Sequence, residues 1–243
     1  MAKLPDKPSD PKAVTPASPQ GSGAVDAFLD RLNRAPAVHA GADRGRLIFA
    51  LDATMSRQPT WDLAQSLQGR MFETAAKLGG LDVQLVYFRG LSECRSSRFI
   101  ANGVGLSDLM SKISVSGGNT QIGKVLKHVR EESRARRVGA LVYVGDAMEE
   151  NVDDLCQMAG ELGLLGLKAF MFHEGDDPTA ESAFREIARL TGGAYAAFDA
   201  AAPRKLADLL SAAAAYAAGG RKALEKIAGE GSATARALLA QMK

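Results

Sequence analysis

The strongest constraint on this chain is a set of five short apolar runs separated by helix-length stretches. The runs are RLIFALDAT, LDVQLVYFRG, VGALVYVGD, GLKAFMFHEG and GAYAAFD, all beyond Gly45. The first four are nearly continuous in apolar residues, as expected of strands covered on both faces. Between them the sequence predicts helices around 60–78, 121–134, 151–163, 178–191 and 203–218. A sixth run, RSSRFIAN, is short and half polar, which suits an edge strand reached by a tight connection. Strand–helix–strand alternation closes most simply into a parallel sheet flanked by helices. The expected fold is α/β: doubly wound, Rossmann-like and mostly parallel, with helices on both faces.

The flanks read differently. Residues 1–24 are rich in Pro, Ser, Lys and Asp and carry too little apolar surface to offset ordering entropy, so they are expected to be a disordered tail. Residues 25–43 place Phe28, Leu29 and Leu32 on one face of a short amphipathic helix that ends at Pro36 and passes into a linker. The domain proper is expected over 44–218. From Gly219-Gly220, a helix stop, residues 219–243 read as a loosely attached helical tail in which Ser232 caps a last helix through Leu239.

A formal charge of +2, mixed along 243 residues, lacks the single-sign field of a nucleic-acid or membrane-surface binder. Arg134, Arg136 and Arg137 read as the basic end of a helix meeting its dipole. Cys94 and Cys156 have no metal-ligand spacing and are expected as free thiols in a reducing compartment. No secretory h-region and no stretch of about 18 apolar residues is present. A soluble, cytoplasmic protein is expected.

Three segments put oxygen donors where strands end: Asp52-Ala-Thr54-Met-Ser56 after LIFAL, Ser116-Gly-Gly-Asn-Thr120 entering a helix, and Asp146 after LVYV. In open α/β sheets, sites form beyond the carboxyl ends of strands where strand order reverses. If LIFAL and LVYV flank that reversal, Asp52 and Asp146 share one crevice. Two carboxylates and three hydroxyls, with no imidazole or thiolate, suit Mg²⁺, with Mn²⁺ or Ca²⁺ as substitutes. The spacing of Asp52, Thr54 and Ser56 puts alternate side chains on one side of an extended turn. Neutral hydroxyls leave the charge of an ion partly uncompensated.

In that order, Asp52-x-Thr54-x-Ser56, Thr120 and Asp146 resemble the metal-ion-dependent adhesion site (MIDAS) of the von Willebrand factor A (VWA) domain family, over roughly residues 44–218. The family pattern is Asp-x-Ser-x-Ser, a Thr after a Gly-Gly loop and an Asp after the fourth strand. The resemblance implies a six-stranded sheet with one antiparallel edge strand. It also implies that Thr54, Ser56 and Thr120 touch the metal or its waters, with Asp52 and Asp146 holding those waters or binding directly. A protein partner would then offer a Glu or Asp to the ion. Relatives with this pattern include cytosolic bacterial adaptors of AAA+ ATPases. Thr54 in place of Ser keeps a hydroxyl. Ala147 stands where the family often has Gly, and Glu149 and Glu150 make the following loop unusually acidic.

Rival chemistries each miss a residue. Gly118 through Gly123-Lys124 fits the glycine and lysine spacing of a phosphate-binding P-loop, but Val125 stands where Ser or Thr should hold Mg²⁺. A Mg²⁺-dependent phosphoryl-transfer enzyme could use Asp52 as nucleophile with Lys124 neutralising the phosphate. Haloacid-dehalogenase-like enzymes want a second Asp where Thr54 stands, and receiver chemistry wants acidic residues that LIFAL lacks. His39, His128 and His173 have no triad partner at motif spacing. His173-Glu174 with Asp176-Asp177 forms an acidic rim near the site, and Trp61 and Phe72 read as core. The expectation is a non-enzymatic, cation-dependent protein-binding module. A structural domain with an empty site is the remaining alternative.

Overall fold

The computed structural model describes residues 44–54, 58–199 and 202–242. The tail and amphipathic helix expected within 1–43 lie outside the described residues, as does Ser56. The elements are β1 (Gly45–Asp52), α1 (Gln58–Ala76), β2 (Leu81–Arg89), β3 (Glu93–Ser96), α2 (Gly103–Met110), α3 (Ile122–Ala135), β4 (Ala140–Gly145), α4 (Val152–Leu164), β5 (Lys168–Glu174), α5 (Pro178–Thr191), β6 (Ala194–Phe198), α6 (Pro203–Gly229) and α7 (Ala233–Leu239). Six strands form one sheet in the order β3-β2-β1-β4-β5-β6. Only β3 runs antiparallel to its neighbour; the other pairs are parallel.

The continuous apolar runs divide between the two faces by strand alternation. On β1, Leu47, Phe49 and Leu51 join a core with Trp61 and Met71 of α1, Leu106 of α2 and Leu210 of α6. Ile48 and Ala50 point the other way, into a core with Val125 of α3, Leu155 of α4 and Phe184 of α5. β4 splits likewise, Val142 and Val144 to the first face and Leu141 and Tyr143 to the second. Both faces of the sheet are thereby covered.

Three sequence expectations need correction. The edge strand is Glu93–Ser96, which begins before RSSRFIAN and shares only Arg95 and Ser96 with it. A tight turn at Gly90 (φ 61°) sets the register Arg89 to Glu93. The ladder then loosens at Ser97, whose hydroxyl accepts the Leu85 N–H at 3.0 Å, and pairing resumes only at Ile100 with Val83. Helix α2 was not anticipated, because Gly103 and Gly105 mask its period. Asn102 starts it by accepting the Gly105 N–H at 2.8 Å, and Leu106, Leu109 and Met110 are buried.

The segment after Gly219 is the third correction. Gly220 (φ 67°, ψ −160°) is non-helical and ends the first segment of α6, as the predicted stop requires, but a second helical segment follows the kink directly. Beyond it Leu224, Ala235 and Leu238 enter the same core as β1 and α1, so the arm is packed. Ser232 caps α7 as predicted, accepting the Ala235 N–H at 3.1 Å. The Gln241 amide then pairs with the outer edge of β6: its oxygen accepts the Tyr195 N–H and its nitrogen donates to the Tyr195 carbonyl, both at 3.0 Å. That side chain satisfies edge groups that would otherwise invite another strand.

Candidate metal centre

The strand order reverses at β1, with β2 on one side and β4 on the other. Asp52 is the last residue of β1, and Asp146 follows directly on β4, whose Val144 pairs with Leu51. The two carboxylates therefore leave neighbouring strand ends at the switch point, where crevices form in such sheets. Asp52 is buried, and its Oδ1 accepts the Thr54 N–H at 2.8 Å, which curls the chain into an Asx-type turn. Thr54 is buried as well. The Ala53 carbonyl accepts the Ser116 N–H at 3.0 Å, tying the glycine-rich loop to the loop after β1.

That loop lies across the β2–β3 turn. A Cβ on Gly118 would sit 2.1 Å from the Gly90 carbonyl oxygen, so glycine is required by close approach. The Asn119 N–H and the Gln121 amide both donate to Gly90, at 3.2 and 3.3 Å. Beneath it, buried Arg89 donates to the Ser114 carbonyl at 2.5 Å and pairs with Glu93 at 2.9 Å. The loop delivers Thr120, which is buried, at the start of α3.

Thr120 does not cap α3 with its hydroxyl. Instead Thr120 and Glu149 bond reciprocally: Thr120 Oγ1 accepts the Glu149 N–H at 3.0 Å, and the Thr120 N–H donates to Glu149 Oε2 at 3.1 Å. A hydroxyl oxygen with one such bond keeps a second lone pair. The cap comes from Glu150, whose carboxylate accepts the N–H groups of Ile122 and Gly123 at 2.5 and 2.8 Å. A carboxylate is well placed there, because helix N-termini carry orphan donors and the positive end of the macrodipole. The two unusual glutamates thus fasten the β4–α4 loop to the glycine-rich loop.

Asp146 is half-buried, and its carbonyl is held from below. Fully buried His173 lies 3.3 Å from it through Nε2 and 3.0 Å from the Tyr195 hydroxyl through Nδ1. A carbonyl only accepts, so Nε2 donates to Asp146, and the Tyr195 hydroxyl pairs with Nδ1. Next along β5, Glu174 accepts the hydroxyl of buried Thr60, joining α1 to the rim. Asp177 serves as a helix cap, accepting the N–H groups of Thr179 and Ala180 at 2.7 and 3.0 Å at the start of α5. These backbone donors hold its carboxyl below the usual range.

Asp52, Thr54, Thr120 and Asp146 thus stand on three loops at one end of the sheet, two of them linked by hydrogen bonds to the glycine-rich loop between. Among the described residues, no group of three or more His, Cys, Asp or Glu is arranged to hold a metal. An ion here would rest on two carboxylates together with hydroxyls, a hard-oxygen set that fits a Mg²⁺-type cation. The phosphate reading loses its parts. Lys124 donates to the Ser92 carbonyl and to Gln121 Oε1, each at 2.8 Å, and Glu150 already occupies the first amides of α3. Sequence reasoning missed His173 as a support of Asp146 and Glu150 as a cap. The adjacency of Glu149 and Glu150 to Asp146 was the available signal for the second, whereas nothing local marked the first.

No family model matches the chain, and no curated protein matches it in sequence. Solved structures do. The SpRpn10 VWA domain aligns at a TM-score of 0.54 and 12% identity, covering 73% of this chain and 97% of that one. Proximal thread matrix protein 1 from the mussel byssus, with a zinc-occupied MIDAS motif, aligns at a TM-score of 0.55 and 15% identity, covering 70% of this chain and 46% of that one. The pilus adhesin SpaC from Lactobacillus rhamnosus GG aligns at 0.51 and 11% identity, covering 71% of this chain and 30% of that one. At such identities the likeness is one of fold: a VWA-like α/β sheet with one antiparallel edge strand.

Proposed function

We propose that this chain is a protein-interaction module whose binding site is a divalent-cation centre formed by Asp52, Thr54, Ser56, Thr120 and Asp146. The observation that carries the reading is the departure of Asp52 and Asp146 from adjacent strand ends at the switch point, with the Thr120 loop bonded to the loops that follow both strands. The fold neighbours support it, one being a pilus adhesin and another holding zinc in a MIDAS motif.

When bound, a Mg²⁺-type ion (Mn²⁺ or Ca²⁺ as substitutes) supplies an electrophilic centre for a Glu or Asp of the partner protein. Asp52 and Asp146 provide the negative charge that retains it. The hydroxyls of Thr54, Ser56 and Thr120 donate oxygen without further charge, which leaves the centre attractive to an incoming carboxylate. Glu150 and His173 act at one remove, holding the start of α3 and the Asp146 carbonyl in place. A cytosolic setting suits the two free thiols, Cys94 and Cys156.

Thermal unfolding in EDTA, then with Mg²⁺, Mn²⁺ or Ca²⁺ added, tests the proposal beside Asp52→Ala. Selective binding to the folded state is expected to add about 2.7 kcal/mol at a hundredfold excess over Kd, and Asp52→Ala is expected to abolish the gain. A midpoint indifferent to every ion in both proteins would favour a structural domain with an empty site. Mg²⁺-dependent turnover of a phosphoester, lost in Asp52→Ala, would favour an enzyme.

A further inference from the structure

At the amino-terminal ends of β1 and β4, the end opposite the candidate metal centre, a cleft of about 360 Å³ opens between the α3–β4 connection and the kink of α6. Its wall includes Arg44, Arg46, Arg136, Arg137, Tyr216 and Gly220, with no acidic side chain among the described lining residues. Two of the four guanidinium groups are braced from behind. Arg44 pairs with Asp82 at 2.8 Å and donates to the Leu81 carbonyl at 2.6 Å. Arg46 pairs with Glu132 at 3.1 Å, stacks 3.7 Å from the Phe99 ring centre and donates to the Arg136 carbonyl at 2.7 Å. That last bond fixes the backbone at Arg136 and leaves its guanidinium uncommitted to this contact.

Among the described residues, charge in the cleft does not balance. Asp82 and Glu132 offset Arg44 and Arg46, whereas Arg136 and Arg137 are exposed and enter no ion pair among the described residues. The carboxyl ends of α3 and of the first segment of α6 come to this end of the fold and contribute roughly half a negative charge each, so about one positive charge is left over among the described residues. Burial pushes the Arg46 guanidinium down, and Arg136 adds like-charge repulsion against the attraction of Glu132. On the other wall, burial raises the Tyr216 phenol while Arg137 acts against that rise. An anion seated between these groups relieves the repulsion and has a hydroxyl to bond.

We propose that this cleft binds a small phosphate-bearing anion, held by Arg136 and Arg137 with the Tyr216 hydroxyl as a further donor. The cations lining it are all arginine, and guanidinium forks match phosphate oxygens in pairs where an ammonium acts as a point charge. The site is independent of the cation centre and does not rest on it.

Isothermal titration calorimetry of the full chain with inorganic pyrophosphate, in EDTA and low salt, tests this beside an Arg136→Gln/Arg137→Gln double variant and Asp52→Ala. EDTA removes any contribution of cations at the other end. Saturable one-to-one binding is expected for the wild type and Asp52→Ala, and binding weaker by about tenfold or more for the double variant, with its unfolding midpoint retained. The proposal is overturned by no saturable binding to the wild type, or by equal binding to the double variant. It is also overturned if a short polyglutamate peptide binds as tightly as pyrophosphate, which would make the cleft a surface for acidic proteins.

Discussion

Glu150 shows how a single carboxylate shapes the candidate site without belonging to its donor set. It accepts two N–H groups at the start of α3, where both charge and geometry favour it. Glu150→Gln keeps one acceptor and loses the charge, so stability is expected to fall by about 1 kcal/mol in urea unfolding without metal. An unchanged midpoint would mean that the cap is dispensable. His128 sets an acid-side sensitivity. Burial lowers its pKa from the ordinary 6.5, opposed by Glu132 and Glu131, and its Nε2 lies 2.9 Å from Gln84 Oε1. The unfolded chain therefore takes up this proton at higher pH than the folded one, and stability falls as pH drops through about 6.5 toward the lowered folded value. His128→Asn, which cannot titrate, is expected to lack that loss as pH falls below about 6.5. Parallel stability curves for the two proteins would contradict it. In the candidate site, Asp52, Thr120 and Asp146 were legible from residue type and position at strand and helix ends. His173 was not, because its partners, Tyr195 and the Asp146 carbonyl, are distant in sequence.

At the scale of elements, helices with a sharp amphipathic period were the easiest to read. α3 and α5 each end within a residue or so of the predicted limits, since Asp177 and Pro178 announce α5 and Gly192 (φ 61°) closes it. The Gly219-Gly220 pair does interrupt the helix, but it gave no sign that the segment beyond packs on the core. Leu224 and Leu238 beyond the break are buried in the core that β1 and α1 share, which holds the arm to the domain. The kink at Gly220 lets the arm fold back to that core. Leu238→Ala is accordingly expected to cost about 2–5 kcal/mol in equilibrium unfolding, as for other buried leucines. A cost under about 0.5 kcal/mol, typical of surface substitutions, would show that the arm is only loosely held. Helix α2 was missed because two glycines in its first turn hide the period that Leu106, Leu109 and Met110 carry.

Taken whole, the molecule is a sheet with distinct polar clusters at its two ends. At the carboxyl end of β1 and β4, carboxylates and hydroxyls gather with backbone support from neighbouring loops. At the amino end of the same strands, arginines gather around the ends of α3 and the first segment of α6. The separation follows from the parallel pairing of β1 and β4, which puts the loops after both strands at one end and the connections entering them at the other. A formal charge of only +2 conceals this polarity, because composition averages over ends that the fold keeps apart.

The apolar runs and their spacing determined the fold class, because a strand covered on both faces must be apolar at nearly every position. They also determined that oxygen donors stand at strand ends. Tertiary structure alone decided which strands are neighbours, and so that Asp52 and Asp146 stand at the ends of adjacent strands. It alone decided that Glu149 and Glu150 clasp the Thr120 loop, that His173 supports Asp146, that the C-terminal arm covers one face, and that Arg44 and Arg46 meet Arg136 and Arg137. Those contacts join residues far apart along the chain, where local periodicity and capping carry no information about which segments meet.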